Sequence, residues 1–420
     1  GGATVGIYFR GEGALEYVSV DPVEFPVLQW NVRKNTGLKP IVEGKSVTLR
    51  DTFTEILWLA GSSPMPQLPT EGEGKPLGEP FASHMKKFGR IEATPVGHQF
   101  ASWRLNAPDR PLVRAEISGG DENLIYLYDG FDQRSESLCM VKGVFQADAA
   151  ISDRLYRTVL SDQPIGRDRR DPLSPAFLLS DVDLSVTATD GENLTMTATE
   201  TFRAVSGTPR VLLLDLYNTR FDYNGLGNLE PHTLRIKGIY DESGQPVPFD
   251  HAKGEVAIGL RAPLQRGVPL RLRFEIEGDI LFRPDGDSYW ELGVEPWFPQ
   301  PDLSGQYYTV HCAVKVKKPF APFAPGKTVR RVDEGDYSVL ETRVGKPVQF
   351  FVVLAGKYKW EEETKDGLTI RVASYGGQNR NAYRKLLELS RNMIDYYTGF
   401  LGPFPFEEFN VVEINDYGYG

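Results

Sequence analysis

The feature that most constrains the fold is a strict alternation of apolar and charged residues near the middle of the chain. Its eight residues are Leu270, Arg271, Leu272, Arg273, Phe274, Glu275, Ile276 and Glu277. A period of two places every apolar side chain on one face of a β-strand. Similar but shorter alternations occur at 48–58 and 184–199, so most of the first 355 residues are expected to form strands.

Residues that favour tight turns separate these runs. The pairs are Asp190-Gly191, Asn224-Gly225, Ser243-Gly244, Asp285-Gly286 and Asp366-Gly367. Such pairs accept the positive φ angles that short hairpin turns require. Short strands broken by turns predict a mainly β protein built from antiparallel β-sandwich or saddle domains.

Two segments differ from the strand pattern in composition. Residues 61–80 are rich in Gly, Pro and Ser, but strand-like sequence resumes afterwards, which predicts a long loop inside the first domain. Residues 163–172 have a charged centre with a proline near each end and are interpreted as a linker. The first domain is therefore expected to cover residues 1–165.

The period of the apolar pattern changes after residue 376. Between residues 379 and 400, apolar residues recur mostly every three or four positions, which predicts an amphipathic helix. Gly402-Pro403 ends this pattern, and residues 409–414 are typical of a buried strand. The last part of the chain is thus expected to add a strand, a helix and a second strand.

Charge and hydropathy exclude some partners. The chain has 57 acidic and 47 basic residues, a net charge of −10, which opposes contact with the phosphates of nucleic acid. No apolar run approaches the ~18 residues of a membrane span, so we expect a soluble chain. The sequence starts with Gly1-Gly2 and does not define the compartment of the protein. An extracytoplasmic location, reached through a signal peptide that was removed, stays one of the alternatives.

The metal-binding and thiol residues form no recognisable catalytic set. Cys139 and Cys312 are expected to be reduced, buried thiols rather than one long-range disulfide. The five histidines lie in no zinc-binding motif, so no metal or catalytic residue is assigned. His311 and Cys312 are neighbours on a predicted strand and must face opposite sides, which gives His311 a structural role.

The segment 289–302 is rich in Trp, Tyr and Pro, with carboxylates between them. Aromatic walls with a few polar groups are typical of small-ligand sites. The same composition is typical of a packed corner between domains. Both interpretations stay open at this point.

Several short motifs occur in a characteristic order in the second half of the chain. Trp297, Pro299 and Asp302 form a corner, and Val314 to Pro319 follow as V-x-V-x-x-P. A strand at 350–358, a strand at 368–373 and the helix lead to Phe400-Leu401-Gly402-Pro403-Phe404-Pro405-Phe406. In the order of these motifs, the chain from about Leu173 onward resembles the front half of proteins of the aminopeptidase N family of zinc metallopeptidases. This family also contains leukotriene hydrolase.

The resemblance implies a division of the chain. Residues 173–356 would be the β-saddle domain of that family, and 357–420 an incomplete start of its thermolysin-like α/β catalytic domain. Residues 1–165 would be an extra N-terminal β domain that the resemblance does not cover. The implied fold is mainly β, with two antiparallel domains followed by strand, helix and strand.

The resemblance also implies what this chain contributes to a site. The family's G-x-M-E-N and H-E-x-x-H motifs do not occur, so the chain is expected to be inactive alone, and zinc is expected only in a parent protein. In the family, a saddle-domain Gln or Glu binds the substrate's amino group, and Glu291 is the candidate for this role. Gly418 and Gly420 are candidates for aligning the peptide backbone.

Two hypotheses about function follow from the resemblance. In the first, the chain is the non-catalytic N-terminal region of an aminopeptidase N-like enzyme, and it forms one wall of a peptide-binding cleft. In the second, it is a non-enzymatic protein-interaction module with the same fold. In both, either the rest of a catalytic domain or a separate protein is expected to cover residues 357–420, since a half-domain leaves apolar surface exposed.

Overall fold

The computed structural model describes most of the chain. The described residues are 4–19, 41–43, 46–61, 78–91, 95–119, 123–130, 135–142, 156–164, 176–188, 193–216, 220–221, 231–232, 234–281, 288–293, 296–301, 306–375 and 380–414. The chain divides into two compact units, Gly1–Pro175 and Ala176–Gly420. Most of the predicted linker at 163–172 lies outside the described residues.

The first unit is built on one antiparallel sheet with the strand order β1-β3-β4-β5-β6-β7, and β2 pairs with β3. The strands are β1 (Thr4–Ser19), β2 (Ile41–Glu43), β3 (Ser46–Gly61), β4 (Leu112–Ser118), β5 (Asn123–Asp129), β6 (Ser135–Lys142) and β7 (Tyr156–Pro164). Neighbours in this sheet are mostly consecutive in sequence, as in a meander. One side of the sheet buries an apolar cluster around Tyr17, Ile117 and Leu124.

Two helices follow β3, where strand-like sequence was expected to resume, and that expectation is wrong; most of the predicted loop at 61–80 lies outside the described residues. The helices are α1 (Glu79–Ile91) and α2 (Val96–Asn106). Phe81, His84 and Phe88 recur at spacings of three and four, so they lie on one side of α1. The sequence signal was weak because His84, a polar residue, stands at one of the buried positions.

The second unit contains a seven-stranded sheet with the order β13-β16-β9-β8-β18-β21-β20. Its strands are β8 (Phe177–Ala188), β9 (Leu194–Ala204), β13 (Leu234–Asp241), β16 (Leu270–Gly278), β18 (Tyr308–Lys317), β20 (Lys327–Glu334) and β21 (Tyr337–Val348). All neighbouring strands are antiparallel except β8 and β18. The predicted strand of alternating charge is β16, whose residues Leu272, Phe274 and Ile276 are buried.

Smaller sheets accompany this large sheet, and two of them pack apolar side chains against it. They are formed by β10 (Val211–Asp215), β14 (Phe249–Ala252) and β15 (Glu255–Gly259), by β11 (Arg220–Phe221) and β12 (Pro231–His232), and by β17 (Tyr289–Leu292), β19 (Ala321–Phe323) and β22 (Val353–Gly356). Apolar side chains from β10, β15, β17 and β22 join those of the large sheet in one core cluster. This antiparallel, mainly β architecture confirms the predicted fold class.

The last elements of the second unit form a small mixed layer. Strands β23 (Lys359–Lys365), β24 (Leu368–Ser374) and β25 (Glu408–Val412) form its sheet, and helix α3 (Arg380–Leu401) connects the parallel pair β24 and β25. Tyr383 and Leu387 of α3 pack on Ile370 and Val372 of β24. The predicted strand-helix-strand succession is confirmed within one residue at the helix ends. Its interpretation as the start of a catalytic domain stays a prediction.

Further expectations concern thiols, membranes and His311. Cys139 and Cys312 are both free and buried, as predicted. No helix in the described part of the chain has the length and apolar character needed to cross a membrane. Cys312 faces the core, whereas the half-buried His311 lies on the opposite side of β18, between Asp183 and Glu341.

Candidate functional site

Glu291 lies on the short strand β17, the strand that the resemblance pointed to. It pairs with Leu354 of β22, and its side chain is half-buried. Its strand neighbours Trp290 and Leu292 are buried in the core. Because the side chains of a strand alternate, the core contacts of these two neighbours turn Glu291 away from the core.

Three tyrosines lie close to this strand. The ring centroids of Tyr289 and Tyr375 are 5.1 Å apart, and those of Tyr358 and Tyr375 are 6.1 Å apart. Tyr289 and Tyr358 are almost completely buried, and Phe323 packs edge-on against Tyr358. The three tyrosine rings therefore pack together as an aromatic wall, which we call the tyrosine cluster.

A second carboxylate, Glu413, reaches this cluster from the end of β25. Its Oε2 atom accepts hydrogen bonds from the hydroxyl of Ser374 and from the backbone N–H of Tyr375, the latter at 3.2 Å. Its backbone carbonyl oxygen accepts a hydrogen bond of 3.0 Å from the hydroxyl of Tyr358. These contacts hold the carboxylate where the parallel strands β24 and β25 both end.

The electrostatics of the cluster connect the two carboxylates. Burial raises the pKa of the Tyr358 hydroxyl above its usual range, and the neighbouring tyrosines add to this effect. The negative charges of Glu291 and Glu413 raise this pKa further. Both carboxylates therefore act electrostatically on Tyr358, and Tyr358 remains a neutral hydrogen-bond donor.

The arrangement is suited to a cationic or ammonium ligand. In sheets with parallel strands, ligands bind beyond the carboxyl ends of the strands, and Tyr375 and Glu413 occupy that edge. A carboxylate binds an ammonium group through charge-assisted hydrogen bonds, which are stronger away from bulk water. Gly418 and Gly420, the other predicted binding residues, lie outside the described residues.

The described residues do not supply a metal site. No group of three or more His, Cys, Asp or Glu side chains in the described ranges is placed to hold a metal ion. Zinc requires three protein ligands and an open position for water, so the groups described here do not fit a catalytic zinc ion.

The corner segment after β17 is a packing element. Trp297, Phe298 and Gln300 are all buried, and the indole N–H of Trp297 donates a 3.1 Å hydrogen bond to the carbonyl oxygen of Phe351. Gln300 also exchanges two backbone hydrogen bonds with Asp215. For residues 297–300 of this aromatic segment, the structure favours the packed corner. Asp302 lies outside the described residues.

Sequence reasoning named Glu291 as a candidate but did not name Tyr358, Tyr375 or Glu413. Each of these three residues stands within two positions of the end of a short strand, and this position is the only signal that the sequence offers for them. The register of β17 on β22, and of β24 on β25, brings the four residues together. Neither register can be read from local patterns.

Comparisons with known proteins give a likeness of structure only. No family model matches the chain. No curated protein matches its sequence. Among solved structures, an M1 zinc metallopeptidase from Deinococcus radiodurans is similar with 17% identity and a TM-score of 0.47, and 57% of each chain is covered. A mutant of that protein bound to the substrate Tyr-Ser-Ala has 18% identity and a TM-score of 0.46 at 56% coverage of each chain.

A two-domain M1 zinc metallopeptidase mutant bound to L-arginine is similar to the same degree, with 18% identity, a TM-score of 0.46 and 56% coverage of each chain. The chain thus spans little more than half the length of the solved structures it matches. Over that part, this chain is similar in structure to M1 zinc metallopeptidases.

Proposed function

We propose that this chain is the non-catalytic N-terminal region of an aminopeptidase N-like zinc metallopeptidase. In this proposal the second unit supports the catalytic domain and contributes one wall of a cleft for the N-terminus of a peptide. The parent enzyme would use zinc-bound water to remove N-terminal residues, and the zinc ligands would come from outside the described residues. The motif order from Leu173 onward supports this assignment.

The observation that carries the proposal is a second apolar face on α3. One face, with Tyr383 and Leu387, packs on β24. A second stripe recurs every three or four residues along the helix and leaves its side chains 38–74% exposed. It consists of Leu386, Leu389, Met393, Tyr396, Tyr397, Phe400 and Leu401.

A helix with two apolar faces is typical of an inner layer rather than of a surface. A surface helix has a single apolar stripe and an opposite polar face. Helix α3 differs because it has two apolar stripes beside its polar face, which carries Arg384, Glu388 and Asp395. Strand β25 is also the last strand of its sheet within the described residues. A further strand beside β25 and a helix against the stripe would complete this α/β layer and cover its apolar surface.

In the proposed site, Glu291 binds the α-ammonium group of the peptide. The tyrosine cluster excludes water from one side, and Glu413 adds a second negative charge near the ligand. The backbone of Gly418 and Gly420 would align the peptide strand. This arrangement would select peptides with a free N-terminus, because a neutral, blocked N-terminus forms no charge-assisted hydrogen bond.

The first experiment determines the intact mass and zinc content of the naturally expressed protein. A mass well above 47.0 kDa with about one zinc per chain is expected for the proposed enzyme. A mass near 47.0 kDa without zinc would overturn it and favour the alternative, a non-enzymatic interaction module. In that alternative, a separate protein would cover the exposed stripe on α3.

The role of Glu291 is tested in the natural protein with Glu291→Gln. For peptides with a free N-terminus, we expect KM to rise at least about tenfold, because one charge-assisted hydrogen bond is lost. Glu242→Gln, in an exposed turn of the same unit, is the matched control and should leave KM unchanged. An unchanged KM for Glu291→Gln, with normal folding, removes the assignment of Glu291.

A further inference from the structure

The two carboxylates of the candidate site belong to different layers of the second unit. Glu291 lies on β17, in the sheet of β17, β19 and β22, whereas Glu413 directly follows β25 of the small mixed layer. The geometry of the site therefore depends on how these layers are held together. A group of charged residues at the other end of β25 joins the mixed layer to the large sheet.

Glu408, the first residue of β25, is the centre of this group. Its Oε1 atom accepts a 2.8 Å hydrogen bond from the backbone N–H of Thr328 on β20, and its Oε2 atom accepts a 2.9 Å hydrogen bond from the hydroxyl of Thr328. Nη1 of Arg371 on β24 donates a further hydrogen bond to Oε2. The side chain of Glu408 is only 8% exposed. Three donors from two strands thus fix this carboxylate.

Arg371 extends the group to a third strand of its layer. Its Nε atom donates a 2.6 Å hydrogen bond to Oε2 of Glu362 on β23. Its Nη1 atom also donates a 3.3 Å hydrogen bond to the hydroxyl oxygen of Thr328. Arg371 therefore connects β23 and β25 of the mixed layer with β20 of the large sheet.

A second arginine on β20 adds aromatic contacts between the layers. The guanidinium group of Arg331 lies 4.8 Å from the ring centroid of Phe323 on β19 and 5.2 Å from that of Trp360 on β23. Burial and the neighbouring charge of Arg371 lower the pKa of Arg331 to about 10, so Arg331 stays charged at neutral pH. A cation that faces two aromatic rings attracts both of them.

These residues are linked to the candidate site on both sides. Phe323, which Arg331 contacts, packs edge-on against Tyr358 with the ring centroids 5.5 Å apart. Strand β25 leads from Glu408 to Glu413, and at the usual rise of a strand this distance is about 16 Å. The backbone N–H of Glu413 donates a 2.9 Å hydrogen bond to the carbonyl oxygen of Ala373 on β24. A displacement of Glu408 is therefore passed along a paired strand to Glu413.

Apolar contacts also hold this layer, but they have no fixed direction. Phe406 packs against the core of the large sheet, and Phe409 packs on β24 and α3. Apolar attraction depends on the area that is buried, whereas hydrogen bonds weaken steeply when their angle changes. The backbone pairing of β24 with β25 holds these two strands to each other and not to β20. The hydrogen bonds of Glu408 and Arg371 are therefore the contacts that define the position of the layer.

We propose that Glu408 is a positioning residue that, with Thr328 and Arg371, fastens the mixed layer to the large sheet and thereby sets where Glu413 lies relative to Glu291. We call these three residues the charged clasp. Buried ion pairs add little net stability, and fixing one specific arrangement is their best-attested role. Only the meaning of this placement for a peptide rests on the proposed function, because the placement itself is a property of this chain.

The test replaces the charged pair with apolar side chains. Arg371→Met/Glu408→Leu leaves neither charge of the pair without its partner, so the double variant should stay folded. ¹⁵N NMR of the 420-residue chain, labelled at its tyrosines, reports the site because the backbone N–H of Tyr375 donates to Glu413. Tyr375→Phe identifies the signal. We expect the Tyr375 signal to move or to split in the double variant, whereas a merely stabilising pair would leave it in place.

A second double variant controls for the loss of charge. Arg380→Met/Glu361→Leu removes an ion pair of the same layer whose arginine is 72% exposed, and it should leave the Tyr375 signal unchanged. An unchanged Tyr375 signal in folded Arg371→Met/Glu408→Leu overturns the proposal. Should that variant not fold, Glu408→Gln decides, since it keeps the size and one acceptor oxygen. A smaller shift of the same signal supports the clasp, and an unchanged signal overturns it.

Peptide kinetics of the naturally expressed protein separate the clasp from the proposed function. In Arg371→Met/Glu408→Leu, KM for peptides with a free N-terminus should rise about threefold or more, the effect of one weakened hydrogen bond, with little change in kcat. A KM that stays unchanged while the Tyr375 signal moves overturns the role of Glu413 in peptide binding. A wild-type protein without peptidase activity contradicts the proposed function and leaves the clasp to the NMR result.

Discussion

Glu200 provides the sharpest test of the electrostatic reasoning. It stands on β9 between Val182 of β8 and Leu272 of β16, on the core side of the large sheet. Its side chain is completely buried, and neither carboxyl oxygen has a hydrogen-bond partner within the described structure. Burial alone raises the pKa of this carboxyl well above its ordinary value, so the folded protein holds it as a neutral acid.

This shift has a defined sign for stability. Above the ordinary pKa of 4.5 the unfolded chain loses the proton, whereas the folded chain keeps it. The folded state then binds more protons than the unfolded state, and the free energy of unfolding falls as the pH rises. From pH 5 to pH 6 the loss is about 1.2 kcal/mol, and it approaches about 1.4 kcal/mol per further pH unit while the buried acid stays neutral.

Glu200→Gln keeps the size and polarity of the side chain but removes the titration. Relative to the variant, the wild-type protein should therefore lose about 1.2 kcal/mol between pH 5 and pH 6. Urea-dependent hydrogen exchange of peptides from β8 and β9 measures this difference within the second unit, apart from unfolding of the first. The reasoning fails if the wild-type protein and Glu200→Gln show parallel pH dependence.

Three further predictions concern the second unit. Burial lowers the pKa of His311, but hydrogen bonds to Glu341 and Asp183 outweigh burial and raise the pKa above its ordinary value of 6.5. His311 should therefore stabilise the protein relative to His311→Gln below pH 6.5, and this difference should vanish as the pH rises through the folded pKa. Urea unfolding at several pH values measures the difference. Arg371→Met leaves the buried carboxylate of Glu408 without its cation and should lower the free energy of unfolding by about 3 kcal/mol in urea. Gly356→Ala should lower the melting temperature by several degrees, since the added Cβ atom would lie 2.6 Å from the Cβ atom of Tyr289 in the tyrosine cluster.

The arginine and glycine variants each have a control in the same unit. Arg380→Met breaks an ion pair whose arginine is 72% exposed, and it should change unfolding by less than about 0.5 kcal/mol. Gly345→Ala adds a Cβ that meets no atom within 4 Å and should leave the melting temperature almost unchanged. Equal effects of Arg371→Met and Arg380→Met, or of the two glycine variants, would contradict the packing arguments. A His311→Gln effect that does not change with pH would contradict the argument from the raised pKa of His311.

Much of the architecture could be predicted because its signals are local. The alternation in β16 and the three-to-four spacing in α3 follow from the geometry of a strand and a helix, and each needs only a short window of sequence. Helix α1 was missed for the same reason, since its inward face contains His84. A polar residue at a buried position is understood only once Glu55 and Glu116 are seen opposite it.

By itself, the sequence determined the strand-rich character of this protein, its one long amphipathic helix, its two reduced thiols and its lack of a recognisable zinc motif. Only the tertiary structure decided that Glu200 is a buried acid and that Glu413 meets Tyr358 and Tyr375. Periodicity reports which side of an element is apolar, but not which other element covers it. That choice depends on strand register and long-range packing, which no local window of residues contains.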